Sequence, residues 1–242
     1  MDSLHRLIAP FLRFLLPWAC ACCRAALPSL EDEGFCGRCW LSLPRLDGWV
    51  CQACGIGLPD GGQFCYGCQH EPTAVPIRAA TAYAGVMRAA IWRFKYAGRR
   101  TLALPFARLM ARSLDLHPQF ANIHGIVPVP LHPSAFRQRG YNQAFELAFI
   151  LGKIIRRPVL DGLLIRHRRT RPSLRLKRTQ RQENIRGAFA WGIPADQRRR
   201  LKGTSLLLVD DVCTTTSTLA ECARVLRESP VAGVRALVLA RD

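Results

Sequence analysis

Eight cysteines in the first third of the chain are spaced for binding metal. They form four CxxC pairs, namely Cys20/Cys23, Cys36/Cys39, Cys51/Cys54 and Cys65/Cys68. A CxxC on a tight turn directs two sulfur atoms at one point, so two such turns supply the four thiolates of a structural zinc site. The four pairs therefore predict two structural zinc ions and a double zinc ribbon over residues 20–69.

Other uses of these cysteines are weaker alternatives. The sequence has no clear secretion signal, and thiols that stay reduced favour zinc over disulfides. A redox CxxC belongs at a strand-to-helix junction, a context that the sequence does not indicate. Sequential pairing of neighbouring CxxC pairs is the simplest ligand assignment, while a crossed arrangement of the first pair with the third stays open. Cys22 could replace Cys20 or Cys23, and we expect it to be a bystander.

Aromatic residues are interleaved with the cysteines: Trp18, Phe35, Trp40, Trp49 and Phe64. Such side chains could stack nucleic-acid bases. A module of about 50 residues has little other apolar material for a core, so we expect them to form one. We further expect this small core, folded by zinc, to be separate from the core of the remaining chain.

A second group of chemically active residues lies in the string LLLVDDVCTTTSTL, residues 206–219. Its apolar start predicts a buried strand, Asp210 and Asp211 lie at the carboxyl end of that strand, and a hydroxyl-rich turn opens a helix. Ligands of open α/β sheets bind beyond the carboxyl ends of strands. The N–H groups of a helix N-terminus suit a phosphate, and adjacent carboxylates suit a vicinal diol or Mg²⁺.

The elements that position this site come after the proline-containing segment 70–76. Apolar strand-like runs alternate there with helix-like runs, which predicts an α/β fold with a parallel sheet and helices on both faces. Charge supports a boundary, because residues 1–76 carry 5 basic and 7 acidic side chains whereas residues 77–242 carry 30 and 10. We expect an amphipathic N-terminal segment at 1–19, the double zinc ribbon at 20–69 and the α/β domain at 70–242.

The N-terminal segment has an apolar helical face made of Leu4, Leu7, Ile8, Phe11 and Leu15. Its apolar run is too short to span a bilayer, and we expect this helix to pack on the protein. A signal peptide and docking on a membrane surface stay open as alternatives. The expected location is the cytoplasm, with association at the inner membrane as the alternative.

Basic residues are concentrated between positions 166 and 202. This stretch holds 13 of the 35 basic side chains and only two acidic ones, Glu183 and Asp196. That charge exceeds what a small anion needs and suits a polyanion such as single-stranded DNA. A solvated basic surface is the alternative. The expected DNA contacts are Arg168, Arg169, Arg171, Lys177 and Arg178.

The order of motifs resembles the ComF competence proteins, also called the GntX-like family. VPVPLH at 127–132 and RGYNQ at 139–143 resemble the segments around the family's pyrophosphate loop, and RTQRQENIRGAF at 178–189 resembles a later segment. The Asp-Asp-Thr turn completes the series in the right order. The family joins a double zinc ribbon to a type I phosphoribosyltransferase domain, and the resemblance implies that architecture here.

The resemblance also implies a ligand, phosphoribosyl pyrophosphate (PRPP) with Mg²⁺. Asp210 and Asp211 would be the catalytic pair that holds the ribose hydroxyls and the metal. The 5′-phosphate would bind to Thr214, Thr215, Thr216, Ser217 and Thr218. The pyrophosphate loop and a mobile hood, which the resemblance places in the basic stretch 166–202, would contribute Arg137, Arg139, Gly140, Asn142, Gln143, Arg181 and Asn184.

Two residues depart from the family pattern close to the implied ligand. Thr216 stands where the family carries glycine in a Thr-Thr-Gly-x-Thr turn, and Ser173 stands where glutamine is usual. Glycine permits a positive φ and a close approach of backbone to phosphate. We therefore expect Thr216 to bend the turn or to weaken phosphate binding.

The expected function is binding of PRPP with Mg²⁺ and of single-stranded DNA, in DNA uptake, with proteins of the competence machinery as partners. Two alternatives stay open. One is an active phosphoribosyltransferase of nucleotide or cofactor metabolism, and the other is a zinc-ribbon scaffold with a relic PRPP site.

Overall fold

The computed structural model describes residues 19–27, 34–120, 122–170 and 178–242. The predicted amphipathic segment 1–19 lies outside these residues except for Ala19. Within the described ranges, no helix combines the length and the apolar character that crossing a membrane requires.

A parallel sheet forms the centre of the α/β domain. The strands of the described residues are β1 (Ile77–Ala82), β2 (Gly125–Pro128), β3 (Leu164–Arg166), β4 (Phe189–Trp191), β5 (Ser205–Cys213) and β6 (Gly233–Arg241). Four of them pair in the order β1-β6-β5-β2, and every pairing in this sheet is parallel. The sheet is the one that the alternation of strand-like and helix-like runs predicts.

Helices cover both faces of the sheet, as predicted. The α-helices are α1 (Gly37–Leu41), α2 (Tyr66–His70), α3 (Gly85–Tyr96), α4 (Ala103–Asp115), α5 (Pro133–Arg139), α6 (Gln143–Ile155), α7 (Arg178–Ile185), α8 (Ala195–Arg198) and α9 (Ser217–Leu226). Successive residues of a strand point to opposite faces. Accordingly, Leu207 and Val209 of β5 pack with α3, α4 and α6, whereas Leu206 and Leu208 pack with α9.

The first zinc ribbon shares a core with the α/β domain. Cys20, Phe35 and Cys39 belong to the same buried cluster as Phe94 of α3 and Phe106 of α4. The Phe35 and Phe106 rings have centroids 6.0 Å apart. The expectation of two separate cores is therefore wrong for this ribbon, because its apolar face is buried against the helices rather than within the ribbon.

The ribbons also cover an edge of the sheet. The Leu46 N–H donates to the Ala80 carbonyl at 3.1 Å, and the Ala82 N–H donates to the Pro44 carbonyl at 2.8 Å. These bonds satisfy backbone groups that the edge strand β1 would otherwise leave open. The segment between the two ribbons thus extends the sheet on the side of β1.

A smaller substructure stands beside the sheet and was missed by the sequence analysis. Strands β3 and β4 pair antiparallel, and α7 lies between them in the chain. The Gly187 N–H, just before β4, donates to the Glu221 Oε1 of α9 at 2.8 Å. Each strand has only three residues, too few for an alternating pattern to be read from sequence.

Candidate zinc centres and phosphate site

The eight paired cysteines gather into two separate groups of four. Cys20, Cys23, Cys36 and Cys39 form the first group, and Cys51, Cys54, Cys65 and Cys68 the second. Within each group the sulfur atoms lie within 4.8 Å of one another, which fits a tetrahedral zinc ion. The pairing is sequential, so the crossed arrangement is wrong. Cys22 stands apart as expected, since its thiol donates to the Val86 carbonyl at 3.1 Å.

The ionisation of these thiols is uneven. Although burial opposes it, hydrogen bonds from backbone N–H groups lower the pKa of Cys20 to about 6 and that of Cys51 to about 7. Burial, followed by hydrogen bonding with the other thiols of each group, raises the pKa of Cys39 and Cys68 above the ordinary range. Four crowded thiols cannot all ionise without a cation among them, which is the condition that a zinc ion meets.

The aromatic residues of the ribbons have different roles. Phe35 is 3% exposed and serves the core, as expected. Trp49 is 70% exposed and Phe64 is 42% exposed, so for these two the expectation of a core role is wrong. In the second ribbon, the partly buried Ala53, Ile56 and Leu58 pack against the buried cysteines instead. Trp18 lies outside the described residues.

The carboxylate pair lies near the carboxyl end of β5, and each member has different neighbours. Asp211 is buried, and its Oδ1 is 2.9 Å from the Nζ of Lys95, near the end of α3. Asp210 interacts electrostatically with Arg166, the last residue of β3. Its Oδ1 accepts a hydrogen bond from the Asp211 N–H at 2.8 Å. The two carboxylates thus interact with cations from two different elements, Lys95 of α3 and Arg166 of β3.

This environment keeps a proton on Asp210 up to neutral pH. Burial, and then the negative charge of Asp211, raise the pKa of Asp210 to about 7, against the opposing charges of Lys95 and Arg166. Burial opposes the charge on Lys95, but Asp211 and Asp210 more than offset it and raise the pKa of that ammonium group. The site therefore holds an acid that titrates near neutrality beside a stable cation.

The hydroxyl-rich turn links β5 to α9. Ser217 begins α9 and is buried, whereas Thr214 is exposed and Thr216 half-buried. Thr216 has φ −70° and ψ −7°, an ordinary right-handed conformation. The turn does not require the positive φ that a glycine would allow, so Thr216 does not strain its backbone.

The chain is similar to several known proteins. The family described as "Double zinc ribbon domain" matches residues 11–69. Competence protein F of Haemophilus influenzae is 29% identical to this chain over 226 residues, 92% of this chain and 96% of that protein. The DNA utilization protein YhgH of Escherichia coli is 28% identical over 231 residues, 93% of this chain and 98% of that one. The chain is thus similar to competence protein F over nearly its whole length, and we call it ComF-like in this sense.

More distant likenesses are found among solved structures. A hypothetical protein from Neisseria gonorrhoeae with bound ppGpp has a TM-score of 0.37 at 13% identity, covering 58% of the ComF-like chain and 67% of its own. Glutamine PRPP amidotransferase from Bacillus subtilis has a TM-score of 0.39 at 14% identity, covering 61% and 30%.

In this ComF-like protein the RGYNQ motif builds a helix junction beside the carboxylates. Gly140 ends α5 with φ +80°, a conformation that glycine adopts without strain. Asn142 caps α6, because its Oδ1 accepts from the Ala144 N–H at 3.1 Å. Arg139 donates to the Gln143 Oε1 at 3.1 Å and to the Tyr96 hydroxyl at 3.2 Å. The charge of Arg139 acts on both Lys95 and Arg166, so Arg139 lies close to the carboxylate site.

The other residues predicted for the pyrophosphate loop and the hood lie in two different helices, α5 and α7. Arg137 is exposed and lines a groove of about 600 Å³ between α5 and α6. The Asn184 carbonyl, in α7, accepts from Arg168 at 3.0 Å. Arg181 belongs to α7, but its side chain lies outside the described structure, as does Ser173.

The predicted DNA contacts fall around the same hood. Arg168 is exposed, but its guanidinium also donates to the Asn184 and Arg186 carbonyls, at 3.0 and 2.6 Å. Arg169 is exposed. Arg171 and Lys177 lie outside the described residues, and Arg178 is described only as the start of α7. Thus Arg168 has a structural role in addition to its charge.

Sequence reasoning assigned neither Lys95 nor Arg166 to the carboxylate site. The motif FKY at 94–96 resembles the ComF pattern, which left open whether Lys95 faces the ligand or is an ordinary lysine at the end of an amphipathic helix. Arg166 was counted with the basic stretch, although its guanidinium is half-buried over the Phe189 ring, 5.4 Å from the centroid. Arg166 approaches the carboxylates only through tertiary structure, so no local signal could have identified it.

Proposed function

We propose that this ComF-like protein binds PRPP with Mg²⁺ at the end of β5, binds single-stranded DNA through its hood, and acts in DNA uptake. The proposal rests on one observation. Asp210, Asp211, Lys95 and the hydroxyl-rich turn lie together near the carboxyl end of β5. The names of its relatives, a competence protein and a DNA utilization protein, supply the process.

The residues present fit a magnesium ion delivered with a phosphorylated ligand. Mg²⁺ takes hard oxygen ligands and is commonly held by one or two carboxylates together with substrate oxygens. Asp210 has an Oδ1 held by the Asp211 N–H and is half-buried, so it keeps an accessible side. The ion would neutralise charge on the pyrophosphate oxygens. We assign Asp210 to the metal and diol, while Asp211 is already engaged by Lys95. Binding of the cation would displace the proton that Asp210 otherwise holds.

The protein's own groups would orient the sugar phosphate. Backbone N–H groups at the start of α9, together with Thr and Ser hydroxyls of residues 214–218, are donors suited to a 5′-phosphate. Lys95, Arg139 and Arg166 place three positive charges around the carboxylates. These cations would attract the pyrophosphate and stabilise its charge.

The DNA part of the proposal is supported by charge. The chain has a net charge of +18, and the exposed Arg168 and Arg169 belong to the predicted contacts in the stretch 166–202. Contacts of this kind bind the phosphate backbone with little sequence preference.

PRPP binding is tested by calorimetric titration of PRPP with Mg²⁺ into the zinc-loaded protein. We expect saturable binding that Asp210→Asn together with Asp211→Asn abolishes, with two zinc ions retained. The matched control is Asp60→Asn with Asp196→Asn, which removes two carboxylates from exposed positions and should bind as the parent does. If the parent protein does not bind PRPP with Mg²⁺, the site is a relic and the proposal is wrong.

A further inference from the structure

The last arginine of the sheet connects the second zinc ribbon to the phosphate turn. Arg241 ends β6, and its Nε donates to the Cys54 carbonyl at 3.2 Å. Its Nη1 donates to the carbonyls of Cys213 at 2.8 Å and Thr214 at 2.9 Å. One guanidinium therefore joins a zinc-ligand turn to the turn proposed to bind phosphate.

On the ribbon side, the turn Cys51–Gly55 is fixed against β1. Arg78 is buried, and its Nη1 donates to the Cys51 and Gln52 carbonyls at 3.2 and 3.0 Å. Gly55 has φ +71°, and a Cβ there would lie 2.8 Å from the Ile77 carbonyl oxygen. The turn is thus packed too closely for a side chain, and its two thiolates hold it from the zinc side.

On the phosphate side, the carbonyl contacts determine where the N–H groups point. In a trans peptide the C=O and the following N–H point in opposite directions. Anchoring the carbonyls of Cys213 and Thr214 on Arg241 therefore turns the N–H groups of Thr214 and Thr215 away from the ribbon. Thr216, which precedes α9, makes no side-chain capping bond that could hold the turn instead.

The charge of Arg241 acts in the same direction. Its guanidinium lies behind the turn, on the carbonyl side, where it interacts electrostatically with the thiols of Cys54 and Cys213. A fixed positive charge behind a set of N–H groups favours an anion in front of them. Zinc bound in the second ribbon would hold the turn that carries the Cys54 carbonyl, and that carbonyl accepts from Arg241.

We propose that Arg241 is a positioning residue through which zinc in the second ribbon controls the anion affinity of the phosphate turn. The inference rests on the proposed function only in naming PRPP as the anion. It makes the ribbon part of the ligand site, whereas a ribbon used solely for docking would leave the turn unaffected.

The test compares Arg241→Lys with Arg78→Lys in the full zinc-loaded chain. Both variants keep the charge, but Arg78 holds the Cys51 and Gln52 carbonyls and not the Cys54 carbonyl, and only Arg241 reaches the phosphate turn. Hydrogen exchange of the amides at 214–218 is measured first, because it needs no ligand. We expect exchange on the order of tenfold faster in Arg241→Lys, the effect of losing hydrogen bonds from a charged donor, and exchange near that of the parent in Arg78→Lys.

Zinc dependence is tested by removing one ligand from each ribbon. Cys65→Ser should accelerate exchange at the phosphate turn, and Cys36→Ser, in the first ribbon, should have a smaller effect. Adding Cys65→Ser to Arg241→Lys should change the turn little further, because residues acting through one link are not additive. Additive effects would mean general destabilisation and would overturn the proposal.

PRPP titration separates this inference from the proposed function. If the parent binds PRPP, Arg241→Lys should weaken binding on the order of tenfold while two zinc ions remain. If the parent does not bind PRPP but turn exchange responds as expected, the link stands and the choice of ligand fails. If Arg241→Lys leaves turn exchange and PRPP affinity at the parent values, the link is wrong and the proposed function survives.

Discussion

Lys95 Nζ lies 2.9 Å from Asp211 Oδ1, and this ion pair joins the end of α3 to the carboxyl end of β5. Both side chains are largely shielded, at 18% and 9% exposure. Removing one member of a buried pair leaves an uncompensated charge. We therefore predict that Lys95→Met lowers the free energy of unfolding by about 3 kcal/mol, as measured by urea denaturation.

The control for this prediction is a double variant that also removes the uncompensated charge of Asp211. Lys95→Met with Asp211→Asn should recover part of the lost stability, since no ion is then left unpaired. If the double variant is as unstable as the sum of both single variants, the two residues do not interact and the prediction fails.

The raised pKa of Asp210 predicts a stability that falls as pH rises towards neutrality. Between the ordinary value of 3.8 and about 7, the folded protein keeps a proton that the unfolded chain releases. The folded state binds more protons in this window, so the free energy of unfolding should decrease with rising pH, by at most about 1.4 kcal/mol per pH unit. The charged groups facing Asp210 are Asp211, Lys95 and Arg166.

Urea midpoints measured at several pH values between 4.5 and 7.5 check this prediction. Asp210→Asn cannot titrate and should remove this component of the slope, while Asp60→Asn, at an exposed position, should keep it. A parent and an Asp210→Asn variant with parallel pH profiles would show that the proton is not held at Asp210.

The parts of the molecule that the sequence predicted are those encoded by neighbouring residues. Each CxxC carries its own turn, so spacing alone located two zinc sites. The order of strand, carboxylates and hydroxyl-rich turn located the end of β5 for the same reason. The shared core could not be foreseen, because Phe35 contacts Phe106, 71 residues later in the sequence, only through the packing of a ribbon against a helix. Arg241 reaches Cys54 and Cys213 by the same kind of long-range placement.

The shared core predicts that the first zinc ion stabilises the α/β domain. Cys20 and Cys39, two of its ligands, lie in the buried cluster that contains Phe94 and Phe106. Losing zinc there should loosen α3 and α4 together with the ribbon. We expect Cys36→Ser to lower the melting temperature of the whole helical signal in circular dichroism, with zinc content falling from two ions to one. A helical transition that melts at the parent temperature after this loss would show that the domains are independent after all.

The DNA prediction concerns the salt dependence of binding. Single-stranded DNA should bind with log affinity falling linearly with log salt, at a slope of about 0.7 per phosphate neutralised. Arg168 is a poor residue for the test because its guanidinium also holds the backbone at Asn184. Arg169→Ala with Arg171→Ala should instead flatten the slope by about 1.4, two phosphate contacts, without changing zinc content.

Two other exposed arginines supply the control. Arg199→Ala with Arg200→Ala removes the same charge from the segment after α8, outside the predicted contacts. If DNA contacts Arg169 and Arg171 directly, this variant should lower the slope by less than the first, because only direct phosphate contacts release counterions in full. Equal slopes for the two variants would mean that the whole basic surface attracts DNA diffusely. A parent slope retained in the Arg169 and Arg171 variant would place the DNA elsewhere, and the exposed Trp49 of the ribbon, able to stack on a base, would be the next residue to replace.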